Sequence, residues 1–208
     1  MLFRSSHEMQ TPVAILKSNL EMLMQSENLN EKDITYIEGI ESGISKLSKL
    51  NSSLLLLAKI ENNQFNVKSI INIRTVIRQV LQQYEVEIDA KNILIINQLN
   101  YDFNIVMEPN LAEILFRNLI SNAIQYNINH GKIFLDFNEN TFTIKNTGNP
   151  IDFNSTEIFS RFKKGNTSIQ STGLGLSIVK SIALCHGFII DYGYENKLHI
   201  FNLILKKP

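Results

Sequence analysis

The chain has 208 residues, enough for one medium domain or for a short helical piece followed by a domain of common size. Its 20 Lys and Arg balance 20 Asp and Glu, so no net positive field exists to hold a nucleic-acid backbone, and no nucleic-acid partner is expected. One cysteine, Cys185, rules out an intrachain disulfide and suits a reducing compartment, where it is expected as a small buried apolar residue.

No apolar run approaches the roughly 20 residues needed to span a bilayer, and nothing at the N-terminus reads as a signal peptide. From the start of the chain, Val13, Leu16, Leu20, Leu23 and Met24 keep helical spacing, which resumes from Ile34 through Ile37, Ile40, Ile44, Leu47, Leu50, Leu54 and Leu57. The polar stretch 26–30 between them predicts a turn, hence an antiparallel helical hairpin. Such a hairpin has too little core alone. Two copies joined as a four-helix bundle would bury its apolar stripes, so a homodimer is expected; packing of the hairpin on its own second domain is the alternative. Gly39 and Gly43 each cost the second helix up to ~1 kcal/mol relative to Ala.

Periodicity stops in an amide-rich stretch, which places a linker at 62–66 between a hairpin at 1–61 and a second domain at 67–208. Beyond it, strands are predicted at 67–73 and 93–99 around a helix at 75–90, then a helix at 111–127. A strand hairpin follows at 132–137 and 141–146, then a helix at 174–186 and strands at 188–194 and 198–205. The expected class is α+β: a two-layer sandwich, helices covering one face of a mixed sheet, after the helical hairpin.

Four segments carry chemistry. Ser6-His7-Glu8-Met9-Gln10-Thr11-Pro12 offers an imidazole that is largely neutral near pH 7 and therefore nucleophilic, with Thr11 one helical turn on. Pro12 clashes with the carbonyl of Glu8, so a bend beside His7 is expected. In Asn118-Leu119-Ile120-Ser121-Asn122-Ala123-Ile124-Gln125-Tyr126-Asn127, residues 118, 122 and 126 share a helix face, and an amide oxygen suits a hard divalent ion. Ile158-Phe159-Ser160-Arg161-Phe162-Lys163-Lys164-Gly165 joins two aromatics to basic residues. Ser171-Thr172-Gly173-Leu174-Gly175-Leu176 puts bare amides before a helix, where phosphate oxygens are favoured.

In this order the segments resemble the cytoplasmic core of a sensor histidine kinase of a two-component system, from His7 to the last strand. The resemblance implies a phosphoacceptor and dimerisation hairpin followed by a Bergerat-type (GHKL) ATPase domain, with ATP and Mg²⁺ as cofactors and a response-regulator receiver domain as partner. His7 would be the phosphoacceptor, Glu8 the carboxylate that orients or deprotonates it, and Thr11 the residue that aligns water for dephosphorylating the partner. Asn122 would be the Mg²⁺ ligand, with Asn118 its neighbour and Tyr126 on the same face. Asn146 and Gly148 would meet adenine. Phe159 and Phe162 would anchor a lid over 165–172, Arg161, Lys163 or Lys164 could reach phosphates, and Thr172, Gly173, Leu174 and Gly175 would cradle them.

Asn146, Pro150 and Ser171 stand where the family usually has an Asp and two glycines. A neutral acceptor at Asn146 weakens adenine binding on the order of 1 kcal/mol, and Pro150 stiffens the turn. A decayed pocket in a partner-binding or phosphatase-biased dimeric module is therefore the competing expectation. A stand-alone Bergerat ATPase is disfavoured by the His-Glu-x-x-Thr-Pro pattern. His130, His186 and His199 are read as structural, and no Cys or His cluster has metal-ligand spacing. Relatives usually carry sensory and membrane segments before the phosphoacceptor, so the chain is expected to be the soluble, cytoplasmic fragment of a membrane-anchored bacterial sensor.

Overall fold

The computed structural model describes residues 2–26, 28–65, 67–99, 102–151, 154–163 and 171–205, with side chains from Thr11 onward. The chain forms two compact units, Met1–Ala58 and Lys59–Pro208.

In the first unit, α1 (Leu2–Met24) and α2 (Glu31–Glu61, which continues into the second unit) flank the predicted turn. A reciprocal cap starts α2. The Asn30 side-chain oxygen accepts from the backbone N–H groups of Lys32 (2.9 Å) and Asp33 (3.1 Å), and the Asp33 carboxylate accepts from the N–H of Asn30 (3.0 Å). Leu20, Ile37 and Ile44 are buried together, with Val13 and Leu29 packed against them. Ile15, Leu16, Leu23, Met24, Ile40 and Leu47 stay exposed, so the hairpin buries only part of its apolar surface. The α1 helix runs on through Pro12 without ending there.

The second unit begins with β1 (Ser69–Asn72), α3 (Ile73–Gln83), α4 (Glu85–Ala90), β2 (Leu94–Asn97) and β3 (Asn104–Met107). It continues with α5 (Pro109–Gln125), β4 (Lys132–Asn138), β5 (Thr141–Thr147), a 3₁₀ turn at Glu157–Phe159, α6 (Gly175–Cys185), β6 (Ile189–Glu195) and β7 (Leu198–Ile204). Five strands form a mixed sheet in the order β2-β4-β5-β7-β6, parallel only between β2 and β4. The expected α+β layering is thus realised. Two expectations about elements fail. The single helix at 75–90 is two helices, because the chain turns at Tyr84, whose N–H reaches back to the Leu81 carbonyl (3.1 Å). The unforeseen β3 pairs antiparallel with β1 in a separate two-stranded sheet, its four residues too few for a legible alternation.

Eight residues of α5 are buried, and Phe116 meets Phe142 of β5 edge to face at 5.3 Å. The buried registers of the two central strands are Phe142, Ile144, Asn146 on β5 and His199, Phe201, Leu203 on β7. Each row therefore ends in a polar residue, and Asn146 pairs directly with His199. Cys185 is exposed rather than buried: it ends α6, whose buried residues are Ser177, Ile178, Val179, Ile182 and Ala183.

Both ends of α5 are fixed by side chains. The buried Glu108 carboxylate accepts from the Leu111 N–H (2.7 Å) and the Asn110 amide (2.8 Å), with Pro109 opening the first turn. At the other end, Lys91 Nζ donates to the carbonyls of Ile124 and Gln125, both at 2.9 Å, where a cation also suits the helix dipole. Burial pulls the Lys91 pKa below its ordinary value. Glu108→Ala should cost about 1–2 kcal/mol, as expected for a lost cap. Urea unfolding should show it as a lower midpoint at unchanged slope; an unmoved midpoint would mean that the cap carries no stability.

Candidate nucleotide site

The α5 cap matters because one face of this helix carries Asn118, Asn122 and Tyr126. Asn118 commits its amide nitrogen to the Ile114 carbonyl (2.7 Å), which leaves its oxygen toward Gly175; a Cβ built there would lie 2.8 Å from that oxygen. Tyr126 Oη lies 3.5 Å from Ser171 Oγ. The two ends of the row therefore border the glycine segment. Asn122 stands between them on the helix, half-buried.

In that segment Gly173 takes φ +71°, where side chains are strained, and a Cβ would meet the Phe162 backbone at 2.8 Å. The Phe162 N–H donates to the Gly173 carbonyl (2.8 Å), tying together the residues on either side of 164–170. Thr172 is half-buried and Leu174 fully buried. The N-cap residue of α6, Leu174, supplies no capping side chain, which suits an anion at the first turn.

The aromatic segment divides its labour. Phe159 is buried and packs edge-on against Phe201 at 6.4 Å, whereas the Phe162 side chain is exposed and engages through its backbone. The Arg161 guanidinium pairs with the Glu61 carboxylate, and Lys163 with Glu157 at 3.2 Å. Lys164 and most of the expected lid lie outside the described residues.

At the sheet end Asn146 is fully buried. Its amide nitrogen donates to the Thr147 carbonyl (3.0 Å), while its Oδ1 finds no partner among the described residues. An unpaired buried acceptor costs about 1–3 kcal/mol, so Oδ1 is suited to a donor supplied by a ligand or an ordered water. Two residues on, a Cβ at Gly148 would lie 2.6 Å from the His199 ring and 2.9 Å from the Tyr126 carbonyl oxygen. Thr147 donates its hydroxyl proton to Asn127 Oδ1 and accepts from the Lys132 N–H (2.8 Å), closing the floor of this corner.

Behind the loop, Tyr192 Oη and His199 Nδ1 are 2.8 Å apart, and Tyr194 Oη donates to the Gly148 carbonyl (3.1 Å). Burial, then the neighbouring Tyr194, raises the Tyr192 pKa to about 12, so it stays a phenol. Burial lowers the pKa of His199, opposed by a hydrogen bond to the Asn149 backbone. Sequence reading gave no role to Asn127, Thr147, Tyr192 and Tyr194, and took His199 as structural. The one available signal was a polar residue in the core-facing register of two adjoining strands.

On α1, the backbone carries His7 and Glu8 one turn before Thr11; the side chains of His7 and Glu8 lie outside the described residues. Among the described residues no three His, Cys, Asp or Glu cluster as a metal site, and no helix is long and apolar enough to cross a membrane.

A glycine-bordered Asn helix facing an open helix start, with an orphaned acceptor at the sheet end, is the architecture of a Bergerat-type ATP-binding domain, here following a helical hairpin. The chain belongs to the sensor histidine kinases of two-component systems. Residues 5–63 match the His Kinase A (phospho-acceptor) domain, and residues 107–202 the family described as Histidine kinase-, DNA gyrase B-, and HSP90-like ATPase. It is 31% identical to the heme sensor protein HssS of Staphylococcus saprophyticus over 211 residues, covering 97% of this chain and 45% of that protein. It is 32% identical to the sensor histidine kinase HprS of Escherichia coli over 209 residues, covering 96% of this chain and 45% of that protein. The chain thus spans less than half the length of these curated relatives. In fold it is similar to the Acinetobacter baumannii histidine kinase AdeS, with TM-score 0.63, 21% identity and coverage of 96% and 97% of the two chains. The catalytic domain of histidine kinase ThkA aligns with TM-score 0.60 at 27% identity, covering 68% of this chain and 97% of that one.

Proposed function

We propose that this chain is the catalytic core of an ATP-dependent histidine kinase, with a phosphoacceptor hairpin at 1–61, a linker at 62–66 and a nucleotide-binding domain at 67–208. Adenine is read by Asn146 against Gly148. The phosphates lie along Thr172, Gly173, Leu174 and Gly175, within reach of Asn118, Tyr126 and the basic residues of 161–164. The observation that carries this reading is the buried, unpartnered Asn146 Oδ1, an acceptor that an exocyclic amine could satisfy.

Asn122, with Asn118 beside it, would hold Mg²⁺ through amide oxygens, which fits an ion that keeps several waters and phosphate ligands. Magnesium, when bound, neutralises phosphate charge in the transition state. A ring nitrogen of His7 attacks the γ-phosphorus; an N–P bond forms, the bond to ADP breaks with its electrons leaving on ADP, and the ring proton passes to Glu8. A carboxylate of a response-regulator receiver domain then takes the phosphoryl group, regenerating the imidazole. Thr11 aligns water for hydrolysis of that acyl phosphate.

The exposed Ile15, Leu16, Leu23, Ile40 and Leu47 support a homodimer closed as a four-helix bundle. The core belongs on the cytoplasmic side of a membrane-anchored sensor.

Calorimetric titration tests the pocket. ATP should bind more tightly with Mg²⁺ than without it, and Asn122→Ala should weaken binding about tenfold and abolish that difference. No ATP binding at millimolar concentration, or full autophosphorylation by Asn122→Ala, would overturn the assignment.

A further inference from the structure

The cluster behind the nucleotide loop has no part in the chemistry above, yet it holds the loop at three backbone atoms. The Gly148 N–H donates to the Lys197 carbonyl (3.2 Å), the Gly148 carbonyl accepts from Tyr194 Oη (3.1 Å), and the Asn149 backbone bonds to the His199 imidazole. That contact is consistent with one tautomer. With Nδ1 facing Tyr192 Oη at 2.8 Å, the nitrogen toward Asn149 is Nε2, which as N–H donates to the carbonyl; Nδ1 then accepts the phenolic proton of Tyr192. His199 also lies directly across the strands from both Asn146 on β5 and Tyr194 on β6. Only the missing Cβ of Gly148 lets the ring edge come so close to the loop.

We propose that His199 is a positioning residue for the nucleotide: bridging Tyr192 and Asn149 as its Nε2–H tautomer, it sets the Gly148 loop at the distance from Asn146 at which adenine is read. The inference rests on the ATP-site reading above and adds a residue that acts through the loop rather than by touching the ligand.

A consequence follows from the family's missing carboxylate. An Asp at 146 would sit beside the imidazole and favour its protonation, which breaks the Tyr192→Nδ1 bond; neutral Asn146 leaves the tautomer undisturbed. Among the described residues, the titratable side chains facing the ring are the phenols of Tyr192 and Tyr194, both on β6, while Asn146, facing it from β5, and Gly148 are uncharged. Burial holds its pKa below the ordinary 6.5, so nucleotide binding should weaken only as pH falls below that value.

The experiment measures ATP affinity and the split between KM and kcat of autophosphorylation from pH 5.5 to 8. Three variants serve. His199→Phe, which keeps the ring volume without either bond, should raise Kd and KM about tenfold, leave kcat within about twofold, and flatten the acid limb of the affinity profile. Tyr192→Phe, which removes a single hydroxyl, should move that limb to higher pH and so carries the test even where His199→Phe fails to fold. Asn146→Asp should move it upward as well. Wild-type affinity and an unmoved acid limb in Tyr192→Phe, alongside ATP binding that Asn122→Ala still weakens, would overturn the role of His199 while leaving the ATP site standing. Failure of the wild-type chain to bind ATP would overturn both.

Discussion

Replacing His7 by Gln should abolish incorporation of acid-labile, alkali-stable phosphate from Mg-ATP, by at least ~10³-fold, with ATP affinity and solution size unchanged. A glutamine amide can occupy the space and hydrogen-bond, but its nitrogen lone pair is delocalised into the carbonyl and does not attack phosphorus. The residues assigned to nucleotide all belong to the unit Lys59–Pro208, whereas His7 belongs to Met1–Ala58, so the substitution should separate binding from chemistry. Glu8→Gln should retain the nucleophile and lose the proton acceptor, lowering the rate by about 10²-fold, in line with general-base contributions. Mixing His7→Gln with Asn122→Ala chains carries the test further. Recovered label means that the phosphoryl group crosses between protomers; no recovery means that each chain labels itself. Persistent labelling of His7→Gln alone would remove His7 as the acceptor.

How much of this could be read from the sequence differs by element. The helical hairpin was legible because Leu20, Ile37 and Ile44 recur at helical spacing, and the turn because the stretch 26–30 is polar; the Asn30–Asp33 cap itself was not read. The strand pair β4–β5 and helices α5 and α6 were legible for the same reason, being long enough for their period to show. What escaped was short or cooperative. The β1–β3 pair has four-residue strands whose partners lie some 35 positions apart, so only the folded chain brings Ile70 against Val106. The helix breaks at Tyr84, whose N–H turns back to the Leu81 carbonyl, without a proline or glycine to announce it.

At the candidate site, spacing placed Asn118, Asn122 and Tyr126 on one face of α5, because a helix face is periodic. It did not foresee that Arg161 pairs with Glu61, since ion-pair partners a hundred positions apart leave no local trace. His199 was read as structural for a related reason. A lone histidine acquires meaning only when β7 sets it opposite Asn146 and lays its ring on Gly148. The neutral Asn146 reads in sequence as a lost carboxylate, but in the fold its amide nitrogen is committed to Thr147, so the oxygen is presented as fixedly as a carboxylate's would be.

Gly148→Ala should weaken ATP binding by at least ~30-fold and lower stability by about 1–3 kcal/mol, the range for overpacking a close-packed site. The argument is one of space rather than backbone strain. An added methyl would lie 2.6 Å from Cδ2 and Nε2 of His199 and 2.9 Å from the carbonyl oxygen of Tyr126. Neither can yield cheaply: the ring is buried and tied to Tyr192, and the carbonyl belongs to the C-terminal cap of α5. The loop itself must therefore move, and with it the surface against which adenine is held, so affinity should fall by more than stability alone would suggest. Gly193→Ala supplies the control, since a Cβ there meets nothing within 4 Å and should change neither quantity. Pairing Gly148→Ala with His199→Ala makes the test decisive. If the clash with the ring is the cause, the second substitution opens room for the methyl, and stability should fall by less than the sum of the two single losses. Strict additivity, or wild-type ATP affinity in Gly148→Ala, would mean that the close approach of ring and loop does not govern the nucleotide.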